Sequence, residues 1–311
     1  MPRRTPTRIA AAAAGILLAA SLAACDRSGP APVREGGGGP AFTVVAAENF
    51  WGSIAAQLAG GRASVHSVIT DPGTDPHSYS PSSADARAIA GANLVIVNGS
   101  GYDEWASRML DASPSPERSV IDVGSALKLS AGSNPHRWYY PADVIAVVRM
   151  IAGAYARLDP ADASFFTARR ARFETASLAR YDRLRAQIAE RYAGVSVGYS
   201  ESIFQGLGES LHLRLLTPPS FARSIAEGTD VSAADKRAVD EQAARREIRV
   251  WVFNRQNVTP DVERVNALAA EHGIPVVPVT ETLDPAGDTF QQWQSDQLQA
   301  LLAALAGAPG R

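Results

Sequence analysis

The chain alternates short, largely apolar runs with helix-patterned stretches, twice over, and that rhythm restricts it to parallel α/β sheets. In the first half, residues 42–47, 65–69 and 94–97 read as strands, separated by helical stretches over 50–58 and 83–90. Strands buried on both faces read as largely apolar runs, and a helix between consecutive strands supplies the crossover that parallel pairing requires. The second half repeats the pattern with strands at 195–199, 249–253 and 275–279 and a helix over 261–272. Between the halves, 142–157 and 161–191 read as helices. In the latter, Phe165, Phe166, Phe173, Leu178, Leu184 and Ile188 are spaced loosely for one face, so a long rigid helix is expected to join two lobes. The expected division is an N-terminal lobe over 42–141, linking helices over 142–192 and a C-terminal lobe over 193–311.

The first residues speak to location. Arg3, Arg4 and Arg8 precede an apolar, Ala- and Leu-rich run that ends in Leu22-Ala23-Ala24-Cys25, the pattern of a secretory signal peptide over 1–24. The run is shorter than the roughly 20 residues of a membrane span. Its end resembles a bacterial lipobox, which implies cleavage before Cys25 and a lipid on that residue. An ordinary signal with an incidental cysteine is the competing reading. Cys25 is the sole cysteine, so no internal disulfide is expected. Residues 25–41, with Gly36-Gly37-Gly38-Gly39, read as a flexible tether. Removing Arg3, Arg4 and Arg8 leaves 27 basic against 32 acidic residues, a net charge of −5, and no basic patch argues for nucleic acid.

In open parallel sheets, ligands gather at the carboxyl ends of the strands. Polar residues collect there in this sequence: Glu48-Asn49, the loop bearing His77, and Asn98-Gly99 in the first half; Ser200-Glu201, Asn254-Arg255-Gln256 and Thr280-Glu281 in the second. Two histidines share a setting, Asp75-Pro76-His77-Ser78-Tyr79 and Asn134-Pro135-His136-Arg137-Trp138. Each proline fixes φ just ahead of the imidazole and so restricts how the ring is delivered. A single such histidine reads most simply as turn chemistry; the repetition points to a pair of metal ligands. Two imidazoles from one lobe and two carboxylates from the other around a dication make a nearly neutral assembly, which lowers the cost of burying the charge.

Taken together, residues 46–52, 71–79 and 98–103 with 217–221, 227–230, 253–256 and 273–283 resemble the zinc- and manganese-binding solute-binding lipoproteins of bacterial ABC transporters. The resemblance covers nearly the whole chain. It implies a metal held in the cleft between two α/β lobes joined by a rigid helix, a monomeric receptor on the outer side of the cell membrane, and delivery of its cargo to a membrane permease. His77 and His136 match that family's histidine ligands, and Glu201 matches a position that is His in many zinc members and Glu in many manganese members. The fourth ligand implied is Glu281, where many members have Asp; Asp284 and Asp288 are the alternatives and read as solvated turn residues.

Two imidazoles and two carboxylates suit Zn2+ and Mn2+, and Fe2+ is compatible. His66, His212 and His272 are expected to be structural, the first in a strand and the other two on helices. Trp51, Tyr79, Trp138 and Phe204 are candidates for excluding water from the site, with ordinary core packing the alternative. Asn254 and Arg255 are candidates for hydrogen bonds to the carboxylates. No His-Glu-x-x-His or equivalent motif is present, so catalysis is not expected. An adhesin or structural lipoprotein stabilised by its metal is the alternative, and a metallohydrolase is less favoured still.

Overall fold

The computed structural model describes residues 39–74, 76 and 79–308. The signal segment, Cys25, most of the tether and His77 lie outside the described residues. In chain order the elements are β1 (Phe42–Glu48), α1 (Asn49–Ala59), β2 (Ala63–Ile69), α2 (Ser83–Gly91), β3 (Leu94–Val97), α3 (Glu104–Ala112), β4 (Ser119–Asp122), α4 (Val123–Ala126), α5 (Pro141–Leu158), α6 (Ala163–Arg172), α7 (Ala179–Tyr192), β5 (Ser196–Tyr199), α8 (Gln205–Ser210), β6 (Arg214–Leu215), α9 (Pro219–Ala226), α10 (Ala233–Ala244), β7 (Val250–Asn254), α11 (Pro260–Glu271), β8 (Val276–Val279) and α12 (Phe290–Gly307).

Two four-stranded sheets result, in the orders β2-β1-β3-β4 and β6-β5-β7-β8, with every pairing parallel. The central strands explain the largely apolar runs. Along β1, Phe42, Val44 and Ala46 enter the large core shared with α1, α5 and α7, while Val45 and Ala47 enter a second core with Ile89 of α2 and Trp105 of α3. In β7, Val250 and Val252 face the large core and Trp251 the opposite one, against Val239, Val262 and Val265. Side chains alternate across a strand, so a sheet covered on both faces wants an apolar residue at every position. Helix α1 lies so close on β2 that a Cβ at Gly52 would stand 1.9 Å from Ser67 Oγ and 3.2 Å from Ser67 Cβ.

The expected long strut is present but interrupted. A 3₁₀ turn (Pro160–Asp162) leads into α6, and a π-turn (Phe173–Ser177) joins α6 to α7 through right-handed helical backbone. Phe166, Phe173, Leu178, Leu184 and Ile188 are buried as expected. The part of the rod that is α6 packs on α5 and α1, whereas α7 packs on α12. His66 lies in β2 as expected. His212 and His272 depart from expectation, since both fall just beyond helix ends. His212 has φ +56°, and His272 is the C-terminal cap of α11.

Candidate metal centre

Three of the residues singled out by sequence are brought together. Glu201 stands two residues beyond β5 and Glu281 two beyond β8, both at the carboxyl edge of the second sheet, while His136 immediately precedes a 3₁₀ turn (Arg137–Tyr139) that leads into α5. One ligand-capable atom from each lies within 4.8 Å of those from the other two, and all three residues are buried. His77 lies outside the described residues. Asp284 is turned to Arg255, with which it forms an ion pair, and Asp288 is not part of the cluster.

The polar residue ahead of the second Pro-His pair has a physical use that the sequence pattern hints at. Asn134 Oδ1 accepts the backbone N–H of His136 at 3.0 Å and faces the ring Nδ1 at 2.8 Å. An amide oxygen can only accept, so Nδ1 carries a proton, which leaves Nε2 as the ring atom able to serve as a metal ligand. Ser202 Oγ approaches the same Nδ1 at 3.3 Å, and Asn134 Nδ2 donates to the Ser202 carbonyl at 2.6 Å, tying the histidine loop to the second lobe. The loop is also held from its own lobe. Asn98 Nδ2 donates to the Pro135 carbonyl at 2.9 Å, and Asn98 Oδ1 accepts from Trp51 Nε1 at 3.1 Å.

Each carboxylate oxygen meets a donor. Asn254 Nδ2 donates to Oε1 of both Glu201 and Glu281, the latter at 2.7 Å. Glu201 Oε2 accepts from Asn257 Nδ2 at 2.9 Å, and Glu281 Oε2 from the Tyr102 hydroxyl at 2.6 Å, a bond from one lobe to the other. Burial, then the Glu281 and Glu48 carboxylates, push the Tyr102 hydroxyl well above its ordinary range, so it remains an O–H donor. Buried Glu48 at the end of β1 is likewise raised well above the usual carboxylate range, first by burial and then by Asp103 and Glu281.

The aromatic expectations divide. Trp138 stacks on Phe50 at 3.9 Å between centroids and meets the His136 ring edge-on at 5.3 Å, with Tyr102 at 4.9 Å, so it packs directly beside the site as well as in the large core. Trp51 contributes through Asn98, and Phe204 is buried in the large core. Tyr79 belongs elsewhere, bonded to Asp85 and packed on Trp105. Asn254 has the expected role and Arg255 does not, being half exposed and paired with Asp284. Tyr102, Asn257 and Asn98 have no role that sequence reasoning assigned. Their strand-end and loop positions are the only signal, and nothing in composition distinguishes a carboxylate partner there from a turn residue.

The family model described as "Zinc-uptake complex component A periplasmic" matches residues 44–304. Among similar proteins, the manganese-binding lipoprotein MntA of Halalkalibacterium halodurans is 25% identical over 276 residues, 86% of this chain and 80% of that one. The iron-binding protein YfeA of Yersinia pestis is 26% identical over 244 residues, 76% and 68% of the two chains. Of solved structures, a periplasmic metal binding protein from Candidatus Liberibacter asiaticus superposes with a TM-score of 0.68 at 19% identity, covering 85% of this chain and 99% of that one. The SBP FpvC of Pseudomonas aeruginosa in complex with Mn2+ does so with a TM-score of 0.66 at 21% identity, covering 85% and 98%. With the match extending across both lobes and the linking helices between them, the chain belongs to the zinc-uptake complex component A periplasmic family.

Proposed function

We propose that the protein is an extracytoplasmic receptor that captures one divalent transition metal and hands it to an ABC-transporter permease, without catalysing a reaction. The observation that carries this reading is the buried convergence of His136, Glu201 and Glu281. His136, with its proton held on Nδ1 by Asn134, supplies Nε2; the two carboxylates supply oxygens from the other lobe. His77, by virtue of its shared sequence setting, is the fourth ligand, and the set with a dication is close to neutral. Asp284 is engaged by Arg255, which favours Glu281 in this role. The relatives named for manganese and iron, together with a family named for zinc, support Zn2+ or Mn2+ as cargo with Fe2+ compatible.

Cysteine lipidation at Cys25, after removal of 1–24, would hold the body on the membrane through the tether 25–41. Similar proteins are named lipoproteins, and among the described residues no helix is long and apolar enough to cross a membrane. We read 42–141 and 193–311 as the lobes and 142–192 as their connection, and the working unit as a monomer.

Titration calorimetry on metal-stripped protein lacking residues 1–41 tests the site. One metal ion per chain is expected. His136→Ala and Glu201→Ala should each weaken binding by more than the roughly 10- to 100-fold typical for loss of an outer hydrogen-bonding partner. Unchanged affinity in both variants would overturn the ligand assignment.

A further inference from the structure

The side chain of Gln256 touches both lobes at once. It lies in the turn after β7, and its Oε1 accepts the backbone N–H groups of Glu281 at 2.6 Å and Thr282 at 3.0 Å. Its Nε2 donates to Thr282 Oγ1 at 2.8 Å and to the Pro72 carbonyl of the first lobe at 2.6 Å. A carboxamide has two donor hydrogens and two acceptor lone pairs, and here all four are used. The backbone N–H of Gln256 donates to Asn254 Oδ1 at 2.9 Å, which turns the Asn254 amide nitrogen toward Glu201 and Glu281. One short turn thus sets the peptide from which Glu281 projects, the amide both carboxylates share, and a bond across the cleft.

Resting on the reading of His136, Glu201 and Glu281 as ligands, we propose that Gln256 is a positioning residue that sets how long the metal stays bound. Release requires Glu281 to withdraw, and Gln256 opposes this by clamping the 281–282 backbone and fastening it to Pro72. Association depends on the ligands being reachable and not on this clamp, so the residue acts on the dissociation rate. Only a carboxamide performs both tasks. A carboxylate in its place keeps an acceptor for the Glu281 and Thr282 N–H groups but sets an oxygen against the Pro72 carbonyl, which has no hydrogen to give.

The two tasks can be separated by comparing Gln256→Glu with Gln256→Ala. Protein loaded with Zn2+ is mixed with excess chelating dye and the release rate followed; association is measured separately by stopped flow, and melting of each metal-free variant is recorded. Release should quicken roughly 10-fold in Q256E and further in Q256A, with association unchanged. A merely structural role would lower the melting temperature of the metal-free protein and leave release at the wild-type rate, which would overturn the proposal. Faster release in Q256A alone would overturn the part assigned to Pro72. His136→Ala run in the same assay separates this result from the ligand reading: if that variant too releases Zn2+ at the wild-type rate, the metal is not held at this site and the parent reading fails.

Discussion

At the scale of single residues, Asn254 carries the heaviest duty, because one amide nitrogen serves two buried carboxylates. Leaving a buried acceptor unsatisfied costs about 1–3 kcal/mol. Asn254→Ala should therefore lower the melting temperature of the metal-free protein by roughly 3–10 °C, with much of the loss recovered on adding metal, as differential scanning calorimetry would show. Asp103 offers a test in pH. It accepts the backbone N–H groups of Asn98 and Gly99, yet burial raises its carboxyl to about 6 from 3.8, the first-named cause outweighing those bonds. A carboxyl raised on folding favours the native state while protonated; that contribution is complete below about pH 4 and is lost as pH rises through about 6. Relative to Asp103→Asn, which cannot titrate, wild type should lose on the order of 3 kcal/mol between pH 4 and 7 in urea unfolding of metal-free protein. A difference that stays flat across this range would remove the buried carboxyl from the balance.

Elements were legible in proportion to how fully they are enclosed. Strands β3 and β7 carry unbroken apolar runs, and β1 one broken only at exposed Thr43, because both faces are covered along most of their length, and their positions follow from sequence within a residue or two. The edge strands β4 and β6 carry no such signal. The first is bounded by polar Ser119 and Asp122 with Val120 half exposed, and the second spans only two residues, so neither presents an apolar run to read. The site divides along similar lines. His136, Glu201 and Glu281 stand beside recognisable strand ends or a repeated Pro-His setting, whereas Tyr102 and Asn257 matter only through partners 179 and 56 residues away. The contact of α1 with β2 lends itself to a double-mutant cycle. Gly52→Ala gains helix propensity but drives its new methyl into Ser67, and the clash should cost about 1–3 kcal/mol. Adding Ser67→Ala should restore most of that loss in denaturant melts; strict additivity of the two changes would mean the helix does not sit where it is described.

For the whole molecule, acid should unload the site. Coordination needs neutral imidazole, and free histidine titrates near about 6.5, so metal affinity should fall below about pH 6 and fall faster as carboxylates protonate near about 4. Melting with and without Zn2+ from pH 5 to 8 reads this directly, and a metal-induced shift undiminished at pH 5 would exclude histidine from the ligand set. Cys25→Ser should move the protein from the membrane to the soluble fraction, and retention after a high-salt wash would refute the lipid anchor. The π-turn between α6 and α7 bears on how such a molecule tolerates change in length. Each residue of an α-helix advances the face by about 100°, so the wider turn at Phe173–Ser177 sets the angular phase between the stripe that seats α6 on α1 and α5 and the stripe that seats α7 on α12. Loss or gain of one residue there would swing the second stripe off its seat, whereas three or four at a time would nearly restore the phase, so length variation in this rod is permitted in whole turns and forbidden in fractions.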